Sequence, residues 1–329
     1  MRRPGPPETG LVSAAEAPRP TVGFIGLGTI GRPIATTIRR AGYPLVVFDP
    51  DQRAMGHLIE LGATGRATPA EVAAASDVVV TMVPDAPDVE RAALGEGGIV
   101  EGIRPGSLYM DMSTIDPATT RRVGAAIALR GARMVDCPVG RTVDHAWRGE
   151  LAIMMGGDPK DVEEVRPILE RVGDSLTYCG PLGNGSAMKL VNNFISAGNL
   201  AILSEALAFG VRAGLKLETI MELVGSTYAG GGMLTGMLPA RAFRGDFTPG
   251  FMTRLSHKDQ RLALTLAEAA GLDAPVGRAV FETLGRTLAA GYDRDDFTSM
   301  LRVNEAKAGV KVRLAGYDGS DGDEAKAGS

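Results

Sequence analysis

The chain has 329 residues, with 35 Lys and Arg against 39 Asp and Glu and a formal net charge of −4; this balance argues against a nucleic-acid binder driven by bulk positive charge. Apolar residues make up 44% and charged residues 22%, the composition of an ordinary globular protein of one large or two medium domains. Two cysteines, Cys137 and Cys179, are too few for a disulfide framework and point to a reducing compartment, the cytoplasm, and three histidines exclude a His-rich metal site, so no metal is expected.

Residues 1–20 are rich in Pro, Gly and Ala and contain no apolar run, so they read as a disordered arm and not as a secretory signal. The folded part begins at Thr21. TVGFIG is a buried strand, followed by a glycine-rich turn, a helix through Ile30, Ile34 and Ile38 to Gly42, and a second strand, YPLVVFD. The alternation continues with a helix from Asp51 to Gly62, a helix from Pro69 to Ala75, and strands DVVVTMV and SLYMDMS. Then come a helix Pro117 to Arg130, strands RMVDCPV and LAIMMGG, a helix Pro159 to Val172, and a strand SLTYCG. Strands alternating with helices predict a mostly parallel sheet covered on both faces.

Past the Gly180-Pro181-Leu182-Gly183 turn the pattern changes to helices only: 184–213, 216–226, 252–270, 276–290 and 295–306. The expected organisation is therefore α/β: a doubly wound domain over 21–182, a helical domain over 183–313 entered by one long helix, and a tail over 314–329. No membrane span is expected, because the apolar stretch from Ile195 to Val211 is interrupted by Ser196, Asn199, Ser204 and Glu205.

Two stretches carry chemistry. Gly26-Leu27-Gly28-Thr29-Ile30-Gly31 matches G-x-G-x-x-G between a strand and a helix, the context of a Rossmann dinucleotide site. Gly26 would make the tight turn, Gly28 admit a pyrophosphate to backbone N–H groups, and Gly31 let helix and strand approach. Asp49, at the end of the second strand, suits the adenosine ribose hydroxyls and repels a 2′-phosphate, favouring NAD(H) over NADP(H); Arg53 nearby would partly offset it. In the long helix, Lys189, Asn192, Asn193 and Ser196 fall at i, i+3, i+4 and i+7, about a third of the circumference on an otherwise apolar helix. Asn-Asn-Ser with one Lys is unlike a charged solvent face and reads as the wall of a polar site. A lysine there can protonate a carbonyl oxygen as it is reduced, and take the proton back in reverse. His257-Lys258-Asp259 forms a second cluster, which on composition alone reads as a surface charge run.

FIGLGTIGRPIA, DMSTID, DCPVGRT, GNGSAMKLVNN and HKD, in this order, resemble the β-hydroxyacid dehydrogenase family over about residues 21–312. The resemblance implies a Rossmann domain plus a helical domain with a small anionic substrate held between them, and neither nucleic acid nor membrane as partner. It implies Lys189 as the catalytic lysine, nicotinamide and ribose contacts from Thr114 and Lys258, and Met82 and Val83 flanking the adenosine. It further implies a homodimer or homotetramer through the helical domain, and substrate contacts from Ser113, Asn192, Asn193 and Ser196. Where most of the family has Ser-Gly-Gly after Pro-Val, this chain has Gly140-Arg141-Thr142, which resembles the branch typified by sulfolactaldehyde reduction. An arginine fork and a hydroxyl suit the three oxygens of a sulfonate; on the residues alone, an Arg141 salt bridge to Asp144 or Glu150 is an equal alternative. A non-catalytic relative would be expected to have lost the lysine.

Overall fold

The computed structural model describes residues 19–317, so nearly all of the expected N-terminal arm lies outside it. Nine strands form one sheet: β1 Val22–Ile25, β2 Leu45–Phe48, β3 Thr64–Gly65, β4 Val78–Thr81, β5 Leu108–Asp111, β6 Arg133–Asp136, β7 Val139–Gly140, β8 Leu151–Gly156 and β9 Gly173–Gly180. From β3 through β2, β1, β4 and β5 to β6 every pairing is parallel. β8 then runs antiparallel to β6 and β7 and parallel to β9. The chain winds outward from β1 to β3 and returns to β4 on the other side of β1. The crevice where ligands bind in such sheets therefore lies between the ends of β1 and β4.

The central strands are apolar because both faces are covered. Phe24, Val47 and Val80 pack with Ile34, Ile38, Val165 and Leu169 on one face. Ile25, Val79 and Tyr109 pack with Val72, Val89, Val123 and Ile127 on the other. The expected helices form at Gly31–Arg40, Gln52–Glu60, Pro69–Ala74, Pro117–Ala128 and Pro159–Val172. Asp51, Thr68, Asp116 and Asp158 cap four of them by accepting first-turn N–H groups. Helices Ala86–Leu94 and Val143–Arg148 and the two-residue β3 were not anticipated.

Beyond β9 the described chain is helical: Asn184–Arg212, Leu217–Gly225, Thr253–Ala269, Pro275–Ala289 and Met300–Ala308. Leu200, Leu207, Leu238, Phe243, Leu284 and Met300 form its core. Leu314, in the stretch expected as tail, packs against this core and donates its N–H to the Phe243 carbonyl. The reason given against a membrane span is corrected: the interruptions leave the 29-residue helix Asn184–Arg212 long and apolar enough, by length and composition alone, to cross a bilayer. Its isolated polar residues are too few to offset the apolar majority. In the fold it is the interdomain helix, and residues such as Leu190, Leu200 and Leu207 are buried.

The helix is anchored to the sheet by Asp136, fully buried at the end of β6. Its carboxylate accepts the Gly183 N–H at 2.7 Å and the Ser186 N–H at 2.6 Å, two N–H groups that the first turn leaves without intrahelical partners. Burial pushes this carboxyl up, and the two backbone donors pull against that. The approach requires two glycines. A Cβ at Gly156 would lie 2.4 Å from Asp136 Oδ1, and one at Gly185 would lie 2.4 Å from the Met154 carbonyl oxygen. Gly156→Ala is therefore expected to cost about 1–3 kcal/mol of stability, read as a lower urea midpoint. An unchanged midpoint would show that the junction has slack.

Candidate active site

The glycine turn has the geometry that a dinucleotide requires. Gly26 sits at φ +94°, and a Cβ there would fall 2.3 Å from the Met82 carbonyl oxygen. A Cβ at Gly31 would fall 2.0 Å from the Gly26 carbonyl oxygen, so helix and strand meet backbone to backbone. Around Gly28 nothing lies within 4 Å of an added Cβ, and Thr29 beside it is exposed, so this side of the turn is open to a pyrophosphate. Asp49 Oδ2 accepts the Leu27 N–H at 2.7 Å, and Oδ1 accepts the Asp51 N–H at 2.8 Å. The carboxylate thus braces the glycine turn. Arg53 pairs with Asp51 at 3.1 Å.

The loops after β4 and β5 are tied together. Asp111 Oδ1, buried, accepts the Ser113 N–H at 3.0 Å and the Thr81 hydroxyl at 2.7 Å, and Ser113 Oγ in turn accepts the Val83 N–H at 3.0 Å. Burial pushes the Asp111 carboxyl up. Lys258 reaches these loops from helix Thr253–Ala269, donating to the Thr114 carbonyl at 2.6 Å and the Pro84 carbonyl at 2.9 Å. Its third contact is an ion pair with Asp259 at 3.0 Å. Arg261 adds a contact to Asp85 at 3.5 Å. Lys258 and Asp259 are therefore part of a tie between the two parts of the molecule, not a surface charge run, while half-buried His257 stacks on Phe281 within the helical part.

Asp259, 2% exposed, also accepts from Asn193 Nδ2 at 2.5 Å, and Asn193 Oδ1 accepts from Asn192 at 3.0 Å. Lys189 lies one helical turn before Asn193, 8% exposed, and makes no hydrogen bond among the described residues. Burial pushes its pKa down; the Asp259 charge raises it, and Lys258 adds to the lowering. The stripe seen in the sequence is thus graded: Lys189 is buried, Asn193 and Ser196 half-buried, and Asn192 exposed. A buried ammonium with a depressed pKa can exchange a proton with an oxygen placed against it.

Residues Gly140-Arg141-Thr142 leave the sheet from β7. Arg141 is the one non-glycine with positive φ (+74°) among the described residues. Its guanidinium donates to Asp174 at 2.6 Å and to the Glu150 backbone carbonyl oxygen, so it is ion-paired, but with Asp174 and not with the Asp144 or Glu150 carboxylate that the sequence offered. Thr142 Oγ1 lies 2.7 Å from His145 Nδ1. Asp136, Asp174 and Asp259 had no role in the sequence reading. Asp136 and Asp259 sit inside motifs quoted above, but their partners are 47 to 66 residues away, and no local pattern pairs them.

Residues 21–180 match the NAD binding domain of 6-phosphogluconate dehydrogenase, and residues 183–304 match the NAD-binding domain of NADP-dependent 3-hydroxyisobutyrate dehydrogenase. The chain is 35% identical over 293 residues to 3-sulfolactaldehyde reductase of Escherichia coli (strain K12), covering 89% of this chain and 98% of that protein. It is 33% identical over 291 residues to 2-(hydroxymethyl)glutarate dehydrogenase of Eubacterium barkeri, covering 88% and 97%. Among solved structures, 3-hydroxyisobutyrate dehydrogenase of Mycobacterium tuberculosis with L-serine superposes with a TM-score of 0.81 at 29% identity, covering 87% of this chain and 99% of that one. The chain belongs to the β-hydroxyacid dehydrogenase family, with NAD(P)-binding domains and relatives that act on CH–OH groups.

The electrostatics give one test. The Asp259 charge favours the protonated form of Lys189, so Asp259→Asn leaves burial and Lys258 acting together. The midpoint of a pH titration of the Lys189 ¹⁵Nζ resonance is expected to move to lower pH. A midpoint that stays put or rises would show that Asp259 does not govern the lysine.

Proposed function

We propose that this β-hydroxyacid dehydrogenase interconverts 3-sulfolactaldehyde and 2,3-dihydroxypropane-1-sulfonate with NAD(H). The reading of the reaction is carried by Lys189, a buried lysine without a hydrogen-bond partner beside the Asp259–Lys258 pair. The dinucleotide would be held by Gly26, Gly28, Thr29, Ile30 and Gly31, with Asp49, Met82 and Val83 serving its adenosine side and Thr114 and Lys258 its nicotinamide side. When bound, it supplies or accepts the hydride. Lys189 donates a proton to the carbonyl oxygen during reduction and removes it from the alcohol during oxidation. Lys258 donates to two loop carbonyls and is ion-paired with Asp259, so it serves by fixing the Thr114 and Pro84 carbonyls. NAD is favoured over NADP because Asp49 and Asp51 both stand at the end of β2, and Arg53 is paired to Asp51.

The sulfonate reading is supported by the Gly140-Arg141-Thr142 loop and by similarity to 3-sulfolactaldehyde reductase. The anion is assigned to this loop, with Ser113, Asn192, Asn193 and Ser196 completing the polar wall. A second reading, a carboxylate substrate such as 3-hydroxyisobutyrate, glycerate or 4-hydroxybutyrate, is favoured by one observation: Asp174 already faces the Arg141 guanidinium. The cytoplasm fits two cysteines that are both free. Homo-oligomerisation is supported by an apolar stripe that repeats every seven residues on the interdomain helix: Met188, Ile195, Ile202 and Phe209, the last two each 67% exposed.

Absorbance at 340 nm with NAD⁺ tests the substrate. Dihydroxypropanesulfonate is expected to exceed the three carboxylates about a hundredfold in kcat/KM, roughly 2.7 kcal/mol; a carboxylate that equals it overturns the sulfonate reading. Lys189→Ala is expected to lower turnover about 10²- to 10⁴-fold while NADH binding, followed by its fluorescence, is kept. Unchanged turnover ends the assignment of the lysine. Ile202→Glu with Phe209→Glu is expected to halve the mass measured by light scattering, or reduce it further; an unchanged mass removes the stripe as the interface.

A further inference from the structure

Arg141 combines two features that call for one explanation. Its backbone is left-handed at φ +74°, a conformation that is costly for a side chain with a Cβ. Its guanidinium reaches past the start of β8 to the Glu150 carbonyl and to Asp174 at the start of β9. In this register β7 ends at Gly140 opposite Ala152, and Leu151 of β8 pairs with Gly173 of β9. Residue 141 therefore leaves the sheet with β8 between it and β9, and its side chain crosses the start of β8 to reach Asp174. The ion pair is half exposed, its side chains 36% and 53% accessible, so on its own it contributes little to overall stability. It can still decide between local backbone conformations of a short loop, where the competing states differ by little.

We infer that Asp174 is a positioning residue: through the Arg141 guanidinium it holds residue 141 left-handed, and so fixes the Arg141–Thr142 peptide and the Thr142 side chain at the substrate anion. The inference rests on the assignment of the anion to this loop, and it gives the guanidinium a structural part in place of direct contact with the anion. Thr142, the next residue, is extended at φ −111° and ψ 172° and begins helix Val143–Arg148. A flip of residue 141 out of the left-handed region would swing that peptide and the Thr142 hydroxyl away from their places, and part Thr142 from His145. Glycine adopts φ +74° without strain, so glycine at 141 needs no holder and arginine does.

The test is steady-state oxidation of 2,3-dihydroxypropane-1-sulfonate, and in parallel of 3-hydroxyisobutyrate, at saturating NAD⁺. It compares wild type, Arg141→Ala, Arg141→Gly, Asp174→Ala, and Arg141→Gly with Asp174→Ala. Arg141→Ala and Asp174→Ala are expected to raise KM for the anion roughly 5- to 100-fold, the range that one strained residue spans. kcat and KM for NAD⁺ stay near wild type. Arg141→Gly raises KM less than Arg141→Ala does, and adding Asp174→Ala to it changes nothing further. If Arg141→Gly is as impaired as Arg141→Ala and Asp174→Ala is unaffected, the guanidinium itself meets the anion: the inference falls and the loop assignment stands. If none of the variants changes KM for either alcohol, the anion does not sit on this loop, and both fall. Thermal melts of the five proteins separate these outcomes from misfolding.

Discussion

A carboxylate with no solvent exposure sits against the positive end of a 29-residue helix, and the rest of the molecule is arranged around that contact. Asp136 replaces water for two N–H groups of the first turn. A charge taken out of water in this way is tolerable only while both donors stay in place. The arrangement fixes the helix in rotation and along its axis at once. Lys189 follows Ser186 by three residues, so its place relative to the sheet is inherited from the cap. Thr120 supports the same turn through the Ser186 hydroxyl at 3.0 Å.

The second tie lies on the other side of the lysine. Lys258 closes on two loop carbonyls of the sheet, and Asp259 holds Lys258 and Asn193 together. Two lysines beside one buried carboxylate leave the group with one excess positive charge. The low-dielectric setting makes that imbalance felt at Lys189. The site is thus built by opposed influences. Burial drives the lysine toward its neutral form, the aspartate restrains it, and the helix backbone keeps the distance constant.

Much of this was legible in the sequence, for definite reasons. Strands and long helices announce themselves by apolar period, and the helix Pro159–Val172 was readable to the residue because Asp158-Pro159 opens it. The glycine turn was readable because each glycine meets a local steric demand. The antiparallel direction of β8 was not, since LAIMMGG has the same alternation whichever way it runs. The helix Val143–Arg148 is too short to show a period. Asp259 looked like part of a surface run because a charged triplet carries no sign of what will cover it. Arg141 shows the same limit from the other side: its sequence neighbours Asp144 and Glu150 were the visible acids, whereas the fold presents Asp174, 33 residues on.

The interdomain helix belongs to two cores. Its first turn is bonded into the sheet through Asp136, and its later residues Leu200 and Leu207 are in the helical core. Fraying from the sheet end would strand a buried carboxylate, and melting from the other end would open the helical core. Opening either end therefore exposes a buried group, so the helix interior is held more firmly than either domain alone would hold it. Lys189, mounted between those two anchors, has its position set by both.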